Sequence, residues 1–250
     1  MDRKENGITV VIPIYNEEDG IRSIFPAFQE YFERSNFEVQ LLLVNDGSTD
    51  NSLSAIKELA AQSDKVHYLS FRKNAGLSAA IRAGIVAADT EWIGYIDADL
   101  QTDPIDFLKL ESFLGEYDLV TGWREGRKDS VVKNMSSSFA NWFRDSLLHD
   151  GVQDSGCPLK IMRRSIALDM PFFKGMHRFF PALVQLQNKR VKEVPVTHFP
   201  RVTGQSKFNL WNRLLSPFLD TMAVRWLKKR QTPYEIGENS LLTPKNNLNE

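Results

Sequence analysis

The amino-acid sequence predicts an α/β protein: a mostly parallel sheet wound with helices on both faces. Two observations carry the prediction. The apolar runs "ITVVIPIY" (8–15) and "VQLLLVN" (39–45) hold no charge, as befits strands covered on both sides. Such runs alternate with stretches of helical period, and repeated β-α units imply a doubly wound layer. Ligands of such sheets sit at the carboxyl ends of the strands, near a switch point.

The elements follow in order. The first strand is 8–15, rich in β-branched residues, and residues 17–34 read as a helix with Pro26 as a blemish. The second strand, 39–45, leads to a helix over 50–62 with Asp50 or Asn51 as its cap. A third strand (65–71), a helix (77–88), a fourth strand (91–98), a helix (104–114) and a fifth strand (117–123) continue the alternation. The turns "NDGSTD" (45–50), "RKNAG" (72–76) and "DADLQ" (97–101) then fall along one rim.

After Trp123 the pattern changes. Residues 130–148 read as helical, 157–164 as a short strand, 176–188 as a helix and 191–199 as a strand. Residues 208–230 form a long amphipathic stretch, and from Gln231 the chain is polar and aperiodic, which predicts a disordered tail. The expected organisation is one domain over 1–207, amphipathic helices over 208–230 and the tail over 231–250.

Composition narrows the function. The chain has 250 residues, 42% apolar and 25% charged, enough for a core without staples. A net charge of −1 argues against a nucleic-acid partner. The single cysteine, Cys157, excludes an internal disulfide framework and fits a reducing compartment. No run approaches the ~20 apolar residues of a spanning helix. The N-terminal segment lacks a signal-peptide core, so a cytoplasmic location is expected.

The stretch "YIDADLQTDP" (95–104) packs Asp97, Asp99 and Asp103 together after an apolar run. Asp103 precedes Pro104 and fits a helix N-cap. Asp97 and Asp99, two apart, would point to the same side of an extended chain. Carboxylates held together repel and lose solvation unless something positive compensates, yet no Lys or Arg lies within six residues on either side. A divalent cation is the simplest compensator, Mg²⁺ or Mn²⁺ for hard oxygen ligands, with Gln101 as a further oxygen. The alternative is a solvated acidic turn.

These motifs resemble those of the family 2 inverting glycosyltransferases of GT-A fold. Within that family the likeness is greatest to the branch of dolichol-phosphate mannose synthase and bacterial polyprenyl-phosphate sugar synthases. Four stretches carry it: "IPIYNE" (12–17), "VNDGSTD" (44–50), "DADLQTDP" (97–104) and "HFPRVTGQSKFNLW" (198–211). The resemblance spans roughly residues 8–230. It implies that Pro13, Tyr15 and Glu17 line a nucleotide pocket, that Asp46 lies beside the base, and that Asp97, Asp99 and Gln101 hold a metal on the donor diphosphate. A metal there would stabilise the charge that accumulates on the leaving group. Asn45 stands where many relatives have an aspartate, which bears on the choice of base, UDP or GDP. Asn74 is a candidate donor contact, although Gly76 beside it would serve equally to start a helix.

Arg124 follows a strand end and would share the rim with the metal. Arg201 and Lys207 flank "VTGQS", and with Ser206 they make a candidate phosphate cradle. The resemblance implies that this segment grips acceptor or donor phosphate. Asp154 is the candidate base or orienting group, the alternative being a loop turn. A saccharide hydroxyl needs a base, whereas a lipid phosphate is already largely ionised at neutral pH. No His or basic residue stands out in the sequence as the partner that would make Cys157 a nucleophile.

Leu210, Trp211, Leu214, Leu215, Phe218, Leu219, Met222, Ala223 and Trp226 form a helical stripe with Arg213, Arg225 and "KKR" (228–230) beside it. Pro217 kinks it or divides two helices. Basic, aromatic amphipathicity reads as an interfacial helix. The alternative is a helix docked on its own domain or on a partner. Attachment is expected to be peripheral, at the cytoplasmic face of a membrane, or through a membrane protein or a second copy. The expected activity is transfer of a sugar from a nucleotide-sugar to polyprenyl or dolichyl phosphate. The alternatives are transfer to a saccharide hydroxyl and a non-catalytic nucleotide-sugar-binding module.

Overall fold

The computed structural model describes residues 4–125, 143–199 and 210–232, with side chains from Asn6 onward and, in the last segment, from Pro217. β1 (Lys4–Ile14), β2 (Glu38–Asn45), β3 (Val66–Ser70) and β4 (Thr90–Tyr95) alternate with α1 (Ile21–Arg34), α2 (Ser52–Gln62) and α3 (Leu77–Ala87). A 3₁₀ turn (Pro104–Asp106) and the short α4 (Phe107–Glu111) lead to β5 (Leu119–Arg124). Residues 143–148 are helical and are called α5. Then come β6 (Lys160–Arg163), α6 (Arg164–Asp169), a 3₁₀ turn (Met176–Phe179), α7 (Phe180–Leu186), β7 (Val191–Val196) and α8 (Leu210–Arg230).

The strands form one sheet in the order β3-β2-β1-β4-β6-β5-β7. β1 pairs in parallel with β2 and β4, β2 with β3, and β5 with β7. β6 runs antiparallel between β4 and β5, so the mostly parallel sheet is as expected. Chain direction reverses its lateral progress at β1, with β2 on one side and β4 on the other. That boundary is the switch point at which turns following β1, β2 and β4 converge.

Alternation along the central strands feeds two cores. Val10, Ile12, Leu41 and Leu43 pack with Phe28, Tyr31 and Phe107 under α1, α2 and α4. Val11, Leu42, Val44, Ile93 and Met162 pack with Ile81, Phe180 and Leu183 under α3, α6 and α7. Each fully buried large side chain contributes roughly 1.5–3 kcal/mol. Tyr31 stacks on Phe107 at 5.2 Å between ring centroids, joining α1 to α4. Gly84 lets α3 lie against β1, since a Cβ there would meet Val11 Cγ1 at 2.5 Å.

Boundaries differ from expectation where local chemistry intervenes. The helix expected over 104–114 is a 3₁₀ turn and one short helix, closed before Gly115 at φ +92°. The helix expected over 176–188 divides at Phe179, where Pro181 suits the start of α7. The short helix α6 was not anticipated. Asn51 occupies the α2 cap position without a side-chain bond; Asp50 Oδ1 instead accepts from Ser52 N (3.0 Å). α8 continues through Pro217 as one helix. It buries Thr221 and Val224 and exposes Phe218, Leu219, Met222 and Trp226. Among the described residues, no helix is long and apolar enough to cross a membrane.

Candidate active site

One wall of the rim is built by stitching the turn after β1 to the turn after β2. Asn16, at φ +54°, donates its N–H to Ser48 Oγ (3.0 Å), and its Oδ1 accepts from Thr49 N (2.8 Å). Glu17 N donates to Ser52 Oγ (3.0 Å). Pro13 and Glu17 are half-buried on this wall, and Tyr15 is exposed. Asn45 is buried and spends its amide on its own turn and the neighbouring strand: Oδ1 accepts from Ser48 N (3.1 Å), and Nδ2 donates to Ser70 Oγ at the end of β3 (2.9 Å). A neutral side chain that both donates and accepts suits this position better than a second carboxylate beside Asp46.

Asp46 is also buried and turns toward the loop before α3. Its carboxylate accepts from Asn74 Nδ2 (2.9 Å), Ala75 N (2.7 Å) and Gly76 N (2.9 Å). Asn74 thus points at Asp46. Gly47 makes the approach feasible. It sits at φ +65°, and a Cβ there would lie 2.3 Å from the Lys73 carbonyl carbon.

On the other side of β1 lies the acidic turn. β4 stops at Tyr95, so Asp97 and Asp99 lie in a turn, with Leu100 at φ +48°. The extended geometry expected from their spacing is absent, because the strand's ladder ends two residues too early. Tyr95 Oη donates to Asp97 Oδ1 (2.6 Å), and Gln101 N donates to Asp99 Oδ1 (3.2 Å). Burial raises the Asp97 pKa. The Asp99 charge adds to this, while the Tyr95 bond and the Arg124 and Lys160 charges oppose it. Asp103 caps as expected, its Oδ1 accepting from Ile105 N (3.1 Å). Gln101 O accepts from Phe199 N (2.8 Å), and Thr102 bridges to His198, so the turn is tied to the segment that follows β7.

Tertiary structure supplies the cations missing near Asp97 in sequence. Arg124, at the end of β5, grips Asp154 with two parallel bonds, Nε to Oδ2 (2.7 Å) and Nη2 to Oδ1 (2.8 Å). Burial works against the guanidinium's charge, but Asp154 outweighs it and holds the Arg124 pKa above its ordinary value. Glu193 on β7 accepts from the backbone N–H groups of Gln153 (2.8 Å) and Asp154 (3.0 Å) and fixes that loop. Cys157 is buried, and burial pushes its thiol up to about 11, so it is no nucleophile.

Tyr95, Lys160 and Glu193 were not singled out from sequence. A lysine inside the apolar run "PLKIM" is the one local signal that pointed to Lys160. Arg201, Ser206 and Lys207 lie outside the described residues. Among the described residues no three His, Cys, Asp or Glu side chains gather as a metal-holding group.

The model of the family described as "Glycosyl transferase family 2" matches residues 9–181. The chain is 33% identical over 228 residues to a dodecaprenyl-phosphate galacturonate synthase from Rhizobium johnstonii, covering 89% of this chain and 67% of that protein. Its fold is similar to that of glucosyl-3-phosphoglycerate synthase from Mycobacterium tuberculosis, solved with Mn²⁺, UDP and glucosyl-3-phosphoglycerate. The TM-score is 0.68 at 16% identity, over 89% of this chain and 80% of that one. A second structure of that synthase, with Mn²⁺, UDP-glucose and glycerol 3-phosphate, gives 0.65 at 18% identity, over the same shares. The seven-stranded sheet is thus of GT-A type.

Proposed function

Because the chain belongs to glycosyl transferase family 2 and is a glycosyltransferase, we propose that it moves a sugar from a UDP- or GDP-sugar to a polyprenyl phosphate, inverting the anomeric carbon. The polyprenyl-phosphate relative supports the acceptor class. The observation that carries the choice is the Arg124–Asp154 clamp. Both oxygens of Asp154 accept from the guanidinium, and the fixed cation beside the carboxylate opposes its taking up a proton. That suits an orienting group and not a general base. A phosphate acceptor, ionised already, requires no base.

The acidic turn suits Mg²⁺ or Mn²⁺. Two carboxylates and the Gln101 amide are hard oxygen donors, and the Asp97–Asp99 repulsion is what a divalent ion relieves. Mg²⁺ commonly takes one or two carboxylates and completes its shell with water and substrate phosphates, in keeping with the small ligand set. Asp97, Asp99 and Gln101 would hold the ion, which would supply charge stabilisation at the leaving diphosphate.

In this reading an acceptor phosphate oxygen attacks the anomeric carbon as the bond to the diphosphate breaks. The electron pair leaves on the nucleoside diphosphate, and no proton need move. Arg124 neutralises phosphate charge, with Asp154 holding its plane. Pro13, Tyr15 and Glu17 line the nucleotide side. Asn45, Asp46 and Asn74 shape that wall from behind. Arg201, Ser206 and Lys207 are assigned to acceptor or donor phosphate from sequence alone. The exposed stripe of α8 faces the membrane that carries the acceptor.

The test is nucleoside diphosphate release from a panel of UDP- and GDP-sugars with Mn²⁺ and polyprenyl phosphate. Release should require the lipid and fail in Asp99→Ala. Asp154→Asn should retain measurable turnover. Release that ignores lipid, responds to an oligosaccharide and vanishes in Asp154→Asn would move the enzyme to a saccharide hydroxyl acceptor.

A further inference from the structure

Lys160 is a buried amine that the chemistry above leaves unused; burial pushes its pKa down, and the nearby Asp154 and Asp97 carboxylates work against that. β6 runs against its neighbours, so its first residue lies at the carboxyl end of β4 and beside the middle of β5, next to the acidic turn. Lys160 pairs with Tyr95 on one side and Thr121 on the other, and residues opposed across a ladder project to the same face. The side chain is wholly buried. Its Nζ donates to Thr121 Oγ1 (3.0 Å), Ser155 O (3.2 Å) and Cys157 O, all neutral oxygens. Two of them belong to the loop that carries Asp154. Among the described residues no carboxylate forms an ion pair with it, yet its charge is felt at Asp97, as is that of Arg124.

Three carboxylates, Asp97, Asp99 and Asp154, share this corner with two cations, Arg124 and Lys160, and Arg124 is committed to Asp154. Lys160 thus offsets one of the two charges of the acidic turn, so a divalent ion arriving alone leaves an excess of one positive charge, which the anionic phosphates of a nucleotide-sugar more than cancel. A fixed cation behind a metal site weakens it for the bare ion in proportion to the local field.

We propose that Lys160 is the resident counter-cation of the acidic turn, weakening it for free divalent metal so that the ion is held well only together with a nucleoside diphosphate. The inference rests on the metal-dependent reading above. It makes Lys160 a positioning residue: it sets metal affinity through Asp97 and holds the Asp154 loop, without touching substrate.

The test is Mn²⁺ binding followed by the paramagnetic resonance signal of the free ion, with and without UDP or GDP. Wild type, Lys160→Gln and Lys160→Arg are compared, with circular dichroism to verify folding. Lys160→Gln should tighten Mn²⁺ alone by roughly three- to tenfold and shrink the gain from nucleotide by a like factor. Lys160→Arg should resemble wild type. A folded Lys160→Gln whose affinity for Mn²⁺ alone is unchanged or weaker overturns the inference, as a merely structural or uncharged lysine would give. If Lys160→Gln does not fold, Lys160→Met, which keeps the buried stem without the charge, must tighten Mn²⁺ alone; if it does not, the inference falls. Wild type that binds no Mn²⁺, with or without nucleotide, overturns the metal-dependent reading and this inference with it.

Discussion

Replacing Asp46 by asparagine tests the wall proposed to face the donor. The carboxylate accepts from Asn74 Nδ2, Ala75 N and Gly76 N at 2.7–2.9 Å and is almost fully buried. An amide keeps one oxygen and turns its NH₂ toward an N–H donor. At least one buried donor then loses its acceptor, costing about 1–3 kcal/mol. The surviving bonds drop from charge-assisted to neutral strength, about half as strong. The expected total is about 2–4 kcal/mol, read as the shift in a urea unfolding curve. The loop it holds opens α3 beside the turns proposed to take the nucleotide, so the donor KM should rise roughly tenfold with a smaller change in kcat. Asn74→Ala removes one of the competing donors, so the double variant should cost less than the sum of the singles. Asp46→Asn within about 0.5 kcal/mol of wild type, or strict additivity of the pair, would refute the reasoning.

Other perturbations probe other parts of the molecule. Burial, with the nearby charges of Arg178 and Lys160, lowers the His177 pKa to about 3. The unfolded chain binds that proton near pH 6.5 and the native state does not, so stability should fall as pH drops from about 6.5 toward 3. His177→Gln should flatten that limb in urea midpoints measured against pH. With its thiol at about 11, Cys157 should resist a thiol reagent at pH 8 in the native protein and react fully in urea; fast native labelling would contradict its burial. Trp226 is 61% exposed on α8, so a blue shift of emission on anionic vesicles, absent in Trp226→Phe and lost at high salt, should mark the exposed stripe as a membrane contact. No shift would favour a protein partner for that face.

Much of the site was legible because its motifs are local. The strand after which Asp97 and Asp99 fall, the capping role of Asp103 beside Pro104, and the turn at Gly47 follow from period, proline and glycine within a few residues. Charge partnership was legible only in part: Arg124 was expected on the rim from its place after a strand, whereas its grip on Asp154 and the approach of Lys160 were not. Strand order places β6 antiparallel between β4 and β5, which brings Lys160 and Arg124 to the turn from 63 and 27 residues away in sequence. The same pairing sets Asp154 on Arg124 across 30 residues.

What the sequence determined by itself, then, is the fold class and the identity of the turns on one rim, because alternation of apolar runs and the residues that break them act over a single turn or strand. What only the tertiary structure decided is the state of each charged group there: Asp46 turned inward to hold a loop, Asp154 clamped by an arginine, Lys160 buried behind the acidic turn. Those states depend on which strands become neighbours, and neighbours are chosen by closing the whole sheet over its two cores, an event to which no short stretch of the chain is party.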